Sequence, residues 1–514
     1  MKNISQVLEF LGIQTSLENN YQIKSLYLDS RKCDSESAFI ALKGQATDGN
    51  KYIDAVLDKG TKLVLSDDDK LSHKLASTSS SYFDSAQQSE EEKANIFYVE
   101  NLKDKLPALA RWFYDYKKPQ NIIGITGTNG KTSISSYIAQ LQKLLGQKSL
   151  LLGTNGNGIY PDLKESTHTT LDILSLYQII SEYSQLPPSY FDSAQQTEEE
   201  FVNLVMEVSS HSLDQKRTES LNFDVAVFSN LSHDHLDYHK TMDSYFEAKA
   251  KLFQFDNLRK AVINIDDEYG QKLCNICGCE VITVSLKSKN ADIYLKSKTI
   301  ENMQTSFDLY ISQELIGTYQ TALIGGFNLM NLGLSLAALD DNSTREQLLI
   351  NISKVQPVKG RMEVVELKNS AKVIIDYAHT PDALEKALQT LASYNSNNLW
   401  CIFGCGGDRD TSKRPIMAQI AEKYVSKIVV TEDNNRFENI ENIFSDIKKG
   451  FVNSENHTFI PSREEAIKYA IENSKAGDII ILAGKGHECY LDKNGVKEHF
   501  DEREIIAKYN KVSF

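Results

Sequence analysis

The stretch Asn121-Ile-Ile-Gly-Ile-Thr-Gly-Thr-Asn-Gly-Lys-Thr-Ser133 decides how the rest of the chain is read. An apolar run breaks into glycines and then Lys131-Thr132, which is the order of a buried strand, a phosphate-cradling loop and the first turn of a helix. A polyphosphate carries several negative charges that must meet donors with no bulky side chain between them. Gly127 and Gly130 allow that approach, while the amides of the Gly127-Thr128-Asn129-Gly130 loop and the helix N-terminus present partial positive charge. In this pattern Lys131 reaches the β- and γ-phosphates and the Thr132 hydroxyl faces Mg²⁺. The sixth position before Lys131 is Ile125 where the general pattern has glycine, so the match rests on strand, glycine loop, Gly-Lys-Thr and helix in sequence.

A chain of 514 residues exceeds one hydrophobic core, and changes of pattern near Pro119 and Pro357 divide it into 1–118, 119–355 and 356–514. The net charge of −14 argues against a nucleic-acid binder, whose affinity comes from dense Lys and Arg. No run of 18 apolar residues exists, and Met1-Lys-Asn-Ile-Ser-Gln lacks the apolar segment of a signal peptide, so a cytoplasmic protein without membrane insertion is expected. Seven cysteines, an odd number, fit reduced thiols. Only Cys274-x-x-Cys277-x-Cys279 is clustered; with no fourth Cys or His nearby it reads as thiols between a helix and the strand Glu280-Val-Ile-Thr-Val rather than a zinc site.

Before the phosphate loop, Leu28-Asp29-Ser30-Arg31 follows a short apolar run. Arg31 either grips a phosphate bidentately or forms a surface ion pair. Ser-Tyr-Phe-Asp-Ser-Ala-Gln-Gln occurs twice, at 81–88 and 189–196, each time followed by three glutamates, and reads as a pair of surface insertions without catalytic role.

After the loop, strands and helices alternate. A helix is expected over 133–145, a strand at Ser149-Leu-Leu-Leu-Gly153, a loop at His168-Thr-Thr-Leu-Asp172 and a strand at Phe201-Val-Asn-Leu-Val-Met-Glu207. Glu207 stands where a P-loop protein keeps an acid for Mg²⁺. The strand Val225-Ala-Val-Phe228 runs into Ser229-Asn-Leu-Ser-His-Asp-His-Leu-Asp-Tyr-His239, whose three histidines and two aspartates look like a metal site. Their spacing fits no tetrahedral zinc pattern, so Mg²⁺ with one histidine ligand is expected. Lys249 on the following helix reads by itself as a solvated surface lysine. Further on, Ala261-Val-Ile-Asn-Ile-Asp-Asp267 reads as a strand, and Gly325-Gly-Phe-Asn328 opens a helix.

From about 356 one grammar repeats four times, an apolar run and then a polar cluster. The clusters are Asp376-Tyr-Ala-His-Thr-Pro-Asp382, Gly404-Cys-Gly-Gly-Asp-Arg-Asp410, Thr431-Glu-Asp-Asn-Asn-Arg436 and Ala483-Gly-Lys-Gly-His-Glu488. Helical segments between them imply parallel strands with crossover helices. Ligands of such sheets bind at the carboxyl ends of the strands, so all four clusters are expected on one edge facing the phosphate loop.

Thr126-Gly-Thr-Asn-Gly-Lys-Thr132, Met206-Glu-Val-Ser-Ser-His211, Asn230 with Asp234-His-Leu-Asp237, Gly360-Arg-Met-Glu363 and Asp376-Tyr-Ala-His379 together resemble the Mur ligases, the ATP-dependent amino-acid ligases of peptidoglycan synthesis. Gly404-Cys-Gly-Gly-Asp-Arg409, Asp433-Asn-Asn-Arg436 and Gly484-Lys-Gly-His-Glu488 look like the branch that adds the third peptide residue. The resemblance implies an α/β fold of three domains: a small UDP-binding domain, a central P-loop ATPase domain with a mostly parallel sheet and a C-terminal Rossmann-like domain. It also implies residue roles. Leu28, Asp29, Ser30, Arg31, Thr169, Thr170, Ser209, Gln215 and Arg217 match positions that hold the UDP-muramoyl substrate. Lys131 and Thr132 match the phosphate and Mg²⁺ ligands, Glu207 and His235 the ligands of a second metal, and Lys249 the lysine that becomes carbamylated. Asn328, Arg361 and Asp376 match ATP contacts; Arg409, Asp433, Asn434, Arg436, Gly484 and Glu488 match the pocket for the incoming amino acid.

The implied reaction is acyl activation. ATP phosphorylates the D-glutamate γ-carboxylate of UDP-N-acetylmuramoyl-L-Ala-D-Glu, and the amine of meso-diaminopimelate attacks the acyl phosphate through a tetrahedral intermediate. An arginine fork suits the distal carboxylate that distinguishes diaminopimelate from lysine, and Arg436 supplies it, with Glu488 available for the ammonium. The departure is Asn435, where the family pattern has proline. Two other readings stay open: the lysine-adding ligase of the same family, and a P-loop nucleotide switch. A monomer acting on small molecules is expected.

Overall fold

Runs such as Ile122–Thr126 and Ile479–Ala483 are apolar without alternation, which suits strands buried on both faces of a parallel sheet. The computed structural model describes residues 1–14, 17, 20–44, 47–71, 95–166, 168–184, 203–301, 303–394 and 396–510; both copies of the octamer lie outside these residues. Two compact units form, and neither is contiguous in sequence. The first takes its residues from Met1–Asn121, His168–Leu204 and Ser212–Asn222, the second from Ile122–Thr167, Val205–His211 and Phe223–Phe514.

The first unit holds four parallel strands in chain order, Ser25–Tyr27, Ser37–Ala41, Leu63–Ser66 and Asn95–Tyr98. Phe39, Val64, Ile53 and Val56 are part of its core. Asp172 fastens the start of the helix Ile173–Ser184 by accepting from the amides of Leu174 and Ser175 at 3.0 and 3.1 Å.

The second unit contains a ten-stranded sheet and a six-stranded sheet. The order of the first is Glu314–Thr321, Gln304–Ile311, Ile293–Glu301, Glu280–Ser285, Lys260–Asn264, Val225–Phe228, Ile122–Thr126, Asn203–Glu207, Ser149–Gly153 and Gly156–Ile159. Val225–Phe228 pairs in parallel with both Ile122–Thr126 and Lys260–Asn264, whereas the strands at both edges are antiparallel. The helix Lys131–Leu144 packs Ile134, Tyr137, Ile138 and Leu141 into the core. The helix Gly326–Leu339 is buried on nearly every side, which explains its almost wholly apolar sequence. The antiparallel flank over 293–321 is absent from the sequence reading, because its strands mix Lys, Ser, Thr, Gln and Glu with apolar residues and carry no continuous run.

The six-stranded sheet runs Glu363–Glu366, Lys372–Asp376, Ile479–Ala483, Leu399–Phe403, Lys427–Val430 and Thr458–Phe459. Alternate residues face opposite sides: Cys401 and Phe403 join the core with Leu384, Leu388, Met417 and Ile443, while Trp400 and Ile402 join Ala466, Ile467 and Ile506. The pairing register sets Asp376 beside Ala483, Ala483 beside Phe403 and Phe403 beside Val430. Four strands therefore end at one level, and the four polar clusters leave from that edge. The chain's last long strand enters the middle of the sheet, and the two-residue strand Thr458–Phe459 closes one side; neither placement is visible in the sequence. Among the described residues no helix is long and apolar enough to cross a membrane.

Candidate active site

The phosphate loop adopts a conformation that its glycines alone permit. Gly127 has φ +145° and Gly130 φ +91°; a Cβ on Gly127 would lie 1.9 Å from Ser229 Oγ, and one on Gly130 would lie 2.7 Å from Asn331 Oδ1. The loop is braced from the neighbouring strand end. Thr128 N donates to Asn230 O at 2.9 Å, Asn129 N to Asn230 Oδ1 at 3.0 Å, and Asn230 Nδ2 to Asn129 O at 3.1 Å. Asn230 is thus a strut for the loop.

Lys131 Nζ donates to the carbonyls of Gly127 and Thr128, both at 2.9 Å. Burial lowers its pKa, against the opposing pull of Glu207 and Asp234. Thr132 Oγ1 donates to Glu207 Oε2 at 3.0 Å, and the buried Glu207 also accepts from Thr154 N at 2.8 Å. Gly153 permits this, since a Cβ there would lie 2.3 Å from Glu207 Oε1.

Lys249 overturns its isolated reading as a solvated residue: it is 2% exposed. Its Nζ donates to Gly127 O at 2.8 Å and lies 4.6 Å from the Tyr245 ring centroid. Burial, then the nearby Lys131 charge, hold its pKa well below the ordinary lysine value. The helix Met242–Ala250 turns this face inward, which a single polar residue in a short helix does not announce.

The histidine run does not gather as one cluster. The short helix Leu236–His239 carries His239 inward, where Nε2 lies 2.9 Å from Ser210 Oγ, while His235 starts that helix with φ +55° and stays half-exposed. Its Nε2 is 3.5 Å from Asp234 Oδ2, and its ring packs edge-on to His211 at 5.0 Å. Burial lowers the His235 pKa to about 4, which leaves a neutral imidazole able to ligate. Among the described residues no three His, Cys, Asp or Glu side chains already form a metal cage.

Residues of the six-stranded part reach this loop. Arg361 Nη2 donates to Thr132 Oγ1 at 3.3 Å, and the guanidinium carbon lies 4.4 Å from the Tyr377 ring centroid. Asp376 accepts from Met362 N at 2.7 Å and Ala378 N at 2.9 Å; burial raises its pKa while Arg361 opposes the rise. Asn328 accepts from Tyr137 OH at 3.2 Å and donates to Ile324 O at 2.9 Å. Gly360 backs directly onto the last polar cluster, where an added Cβ would meet His487 N at 2.2 Å.

The expected amino-acid pocket forms at the aligned strand ends. Asn434 Nδ2 donates to Glu488 Oε2 at 3.0 Å, and Lys485 Nζ donates to Asn434 Oδ1 at 3.0 Å and Glu488 Oε2 at 2.7 Å. Burial raises the Asp433 carboxyl, but Lys485 and Arg463 outweigh it and hold the pKa below the ordinary value. Gly484, φ +115°, leaves room for Asp433, which a Cβ would approach to 2.7 Å. Arg436 Nη1 donates to Gly407 O at 2.6 Å. Arg409 is exposed. Despite the missing proline the loop is held: Asn435 O accepts from Glu438 N at 3.0 Å, and Gly407 packs so closely that a Cβ would lie 2.0 Å from that oxygen.

In the first unit, Arg217 Nη1 donates to Thr170 O at 3.3 Å and Nη2 to Gln215 Oε1 at 2.5 Å, so three of the expected substrate residues come together; Thr169 adjoins Thr170 in the same bend. Leu28 and Ser30 lie in the turn after Ser25–Tyr27, and Lys59 Nζ donates to Ser30 O at 2.8 Å. Arg31 is 84% exposed and pairs with Asp29 through two bonds of 2.9 and 2.8 Å, the ion-pair alternative. Ser209 belongs to the second unit, directly before the helix Ser210–Asp214.

Sequence reasoning missed the buried cations that hold the pocket. Arg414, with no side-chain exposure, forks onto Glu438 at 2.7 and 2.6 Å and reaches Asp446 at 2.9 Å, tying the 404–410 loop to the 433–438 loop. Arg463 pairs with the equally buried Glu502 at 2.8 Å and donates to Ala483 O at 2.9 Å. Both sit in helices whose sequence gives no sign of which face is inward.

Family models described as Mur ligase family, catalytic domain, Mur ligase middle domain, and Mur ligase, glutamate ligase domain match residues 22–114, 125–339 and 360–486. A Haemophilus influenzae (strain PittGG) protein named UDP-N-acetylmuramoyl-L-alanyl-D-glutamate--2,6-diaminopimelate ligase is 38% identical over 506 residues, covering 96% of this chain and 98% of its own. A solved structure bearing the same name matches with a TM-score of 0.61 at 34% identity and covers 98% of each chain. The MurF ligase from Thermotoga maritima in complex with ADP shares the fold, with a TM-score of 0.62 at 17% identity over 95% of this chain and 97% of that one.

Proposed function

The chain belongs to the Mur ligase family, and from that premise we propose that it joins meso-2,6-diaminopimelate to the D-glutamate γ-carboxylate of UDP-N-acetylmuramoyl-L-alanyl-D-glutamate, with ATP cleaved to ADP and phosphate. The observation that carries this reading is the likeness along nearly the whole chain to ligases named for that reaction.

A free carboxylate resists amine attack. Transfer of the γ-phosphoryl group gives an acyl phosphate, the amine adds to its carbonyl carbon, and the tetrahedral intermediate expels phosphate to leave the amide. Lys131, with the loop amides of Thr128, Asn129 and Gly130, offsets charge on the transferring group. Arg361, which bonds the Thr132 hydroxyl, joins them, and Asn328 and Asp376 complete the ATP contacts. The Thr132 hydroxyl, 3.0 Å from Glu207 Oε2, would face one Mg²⁺, and Glu207 and His235 would serve as ligands of a second; ions bound there would neutralise phosphate charge.

Burial and the nearby Lys131 charge favour the uncharged amine at Lys249, which would attack CO₂: a C–N bond forms, an amine proton goes to water, and the resulting carbamate would offer an anionic oxygen ligand to Mg²⁺. Arg436, which bonds a carbonyl and no carboxylate among the described residues, receives the distal carboxylate of diaminopimelate, with Arg409 entering the pocket when substrate binds. Asp433, Asn434, Gly484 and Glu488 set the ammonium end. Leu28, Ser30, Thr169, Thr170, Ser209, Gln215 and Arg217 hold the UDP substrate. Segment 1–118 serves the UDP substrate together with Thr169, Thr170, Ser209, Gln215 and Arg217, segment 119–355 supplies the phosphate loop for ATP, and segment 356–514 takes the amino acid and adds Arg361 and Asp376 to the ATP contacts. The protein works as a cytoplasmic monomer on small molecules, without nucleic acid.

The test is phosphate release from ATP with the UDP substrate present, comparing meso-diaminopimelate, L-lysine and no amino acid. Release that needs both the UDP substrate and diaminopimelate is expected. A lysine preference would transfer the protein to the lysine-adding branch, and release indifferent to acceptor would make it a nucleotide switch.

A further inference from the structure

One carboxylate ties the phosphate loop, the histidine loop and the six-stranded part together. The strand Lys372–Asp376 ends in the ATP-site acid, and after four intervening residues the helix Pro381–Ala392 begins, with Thr380 as its cap and Pro381 in its first position. Asp382 follows in that first turn, where the helix dipole favours an anion. Its Oδ2 accepts from Asn129 Nδ2 at 3.0 Å, Ser232 Oγ at 3.2 Å and Lys386 Nζ at 2.9 Å. Asn129 belongs to the phosphate loop, and Ser232 to the segment that continues into Asp234 and His235.

A carboxylate at the rim of a phosphate site is a poor phosphate ligand, because like charges repel. Its partners explain its presence better. Asn129 has its backbone fixed by Asn230, so the side-chain bond to Asp382 transmits the loop's position to the helix. The same segment, from Asp376 to Thr380, carries His379, whose backbone carbonyl accepts at 2.9 Å from Nζ of Lys413, the first residue of the helix Lys413–Tyr424 that follows the 404–410 cluster. A rigid connection therefore runs from the phosphate loop through Asp382 to the strand ends where the acceptor amine is held.

We propose that Asp382 is a positioning residue, the latch that registers the amino-acid pocket over the phosphate loop so that the amine, rather than water, meets the acyl phosphate. This rests on the ligase reading given above. Asp382 acts through its bonds to Asn129 and Ser232. A misplacement of about 1 Å between reacting groups costs on the order of 10²-fold in rate, so small slippage at the latch is enough to uncouple the two half-reactions.

Asp382→Ala is expected to lower ligation on the order of 10²-fold with little change in the KM for ATP, and to raise the ratio of phosphate released to amide formed. Asp382→Asn keeps an acceptor oxygen for Asn129 and Ser232 and is expected to stay close to the wild-type ratio. In a double-mutant cycle, Asn129→Ala added to Asp382→Ala should cost no further coupling. Hydrogen exchange of the unliganded protein is the second readout. It should quicken at 127–130 and 230–235 in Asp382→Ala and stay unchanged in Lys372–Asp376 and Ile479–Ala483, which reports an intact fold. A wild-type phosphate-to-amide ratio in Asp382→Ala, or unchanged exchange at both loops, overturns the latch. Wild-type protein with no diaminopimelate-dependent phosphate release overturns the ligase reading instead, and the exchange result then decides the latch by itself.

Discussion

Two sets of buried or half-buried basic side chains occupy the second unit, and they differ in what they face. Lys131, Lys249, Arg361 and Arg436 meet backbone carbonyls, a hydroxyl or an aromatic ring. Arg414, Arg463 and Lys485 meet carboxylates, at 2.6, 2.8 and 2.7 Å. Burying a charge is costly unless it is paired, so an interior cation solvated by carbonyls alone is stabilised only in part. Lys131 and Arg361 are therefore poised for phosphate and Arg436 for a substrate carboxylate, while at Lys249 the same shortage of anions favours the uncharged amine, the form that can capture CO₂ as a carbamate. The second set has its anions already and holds loops and strands in place. Substitutions in the first set should change chemistry and leave stability nearly intact; those in the second should do the reverse.

The largest expected effect is at Lys249. Lys249→Ala should reduce ligation on the order of 10³-fold, the scale of losing a preorganised charge in a dry site, with an unfolding midpoint close to that of wild type. A short carboxylic acid added to the assay should restore part of the rate by supplying the missing anion. Loss of activity together with loss of fold, and no rescue, would move Lys249 into the structural set and break the distinction where it is sharpest.

Arg414 tests the opposite half. Breaking a buried pair leaves its partners uncompensated, so Arg414→Ala should destabilise by about 3 kcal/mol, read as a lowered urea midpoint for the transition that reports the six-stranded part. Arg414→Met, which keeps the stem packing, together with Glu438→Gln should recover much of that loss. A stable Arg414→Ala protein with a raised KM for diaminopimelate would instead place Arg414 among the ligand-binding cations. Arg436→Ala should raise the KM for diaminopimelate about 10²-fold, the worth of a charged hydrogen-bonded contact, and leave the KM for ATP unchanged. Equal effects on both would remove Arg436 from the pocket.

The same contrast explains what was legible in the sequence. The phosphate loop could be read because Gly127, Gly130, Lys131 and Thr132 are neighbours and each answers a local demand of phosphate binding. The four polar clusters could be placed on one edge because parallel strands with crossover helices allow no other arrangement. Lys249 looked like a surface residue until a family pattern singled it out, since what buries it is the approach of Tyr245 and Gly127 from distant segments. Arg414 and Arg463 gave no signal, because their partners lie 24 and 39 residues away and the pairings exist only after folding; Asp382 could be read as the end of a polar cluster, but not its bond to Asn129, 253 residues away. Local chemistry is written locally; the charges that hold it in register are not.

The smallest effect is expected where a cation is paired but exposed. Asp29 has its pKa lowered from 3.8 to about 2, chiefly by the Arg31 side-chain hydrogen bond. The folded value lies below the unfolded one, so the pair's contribution to stability is fully present above about pH 4 and disappears as pH falls through about 2. With Arg31 84% exposed, solvent screens the pair and its worth stays under about 1 kcal/mol. Arg31→Ala should return the Asp29 titration toward 3.8 by NMR, lower stability slightly at pH 7 and not at pH 2, and have no measurable effect in 1 M salt, where the screening length is about 3 Å. A loss of several kcal/mol at neutral pH would show that exposure does not separate this pair from Arg414 and its carboxylates. A raised KM for the UDP substrate at unchanged stability would show instead that Arg31 leaves Asp29 to grip a phosphate, which would place it with Lys131 among the cations that wait for a ligand.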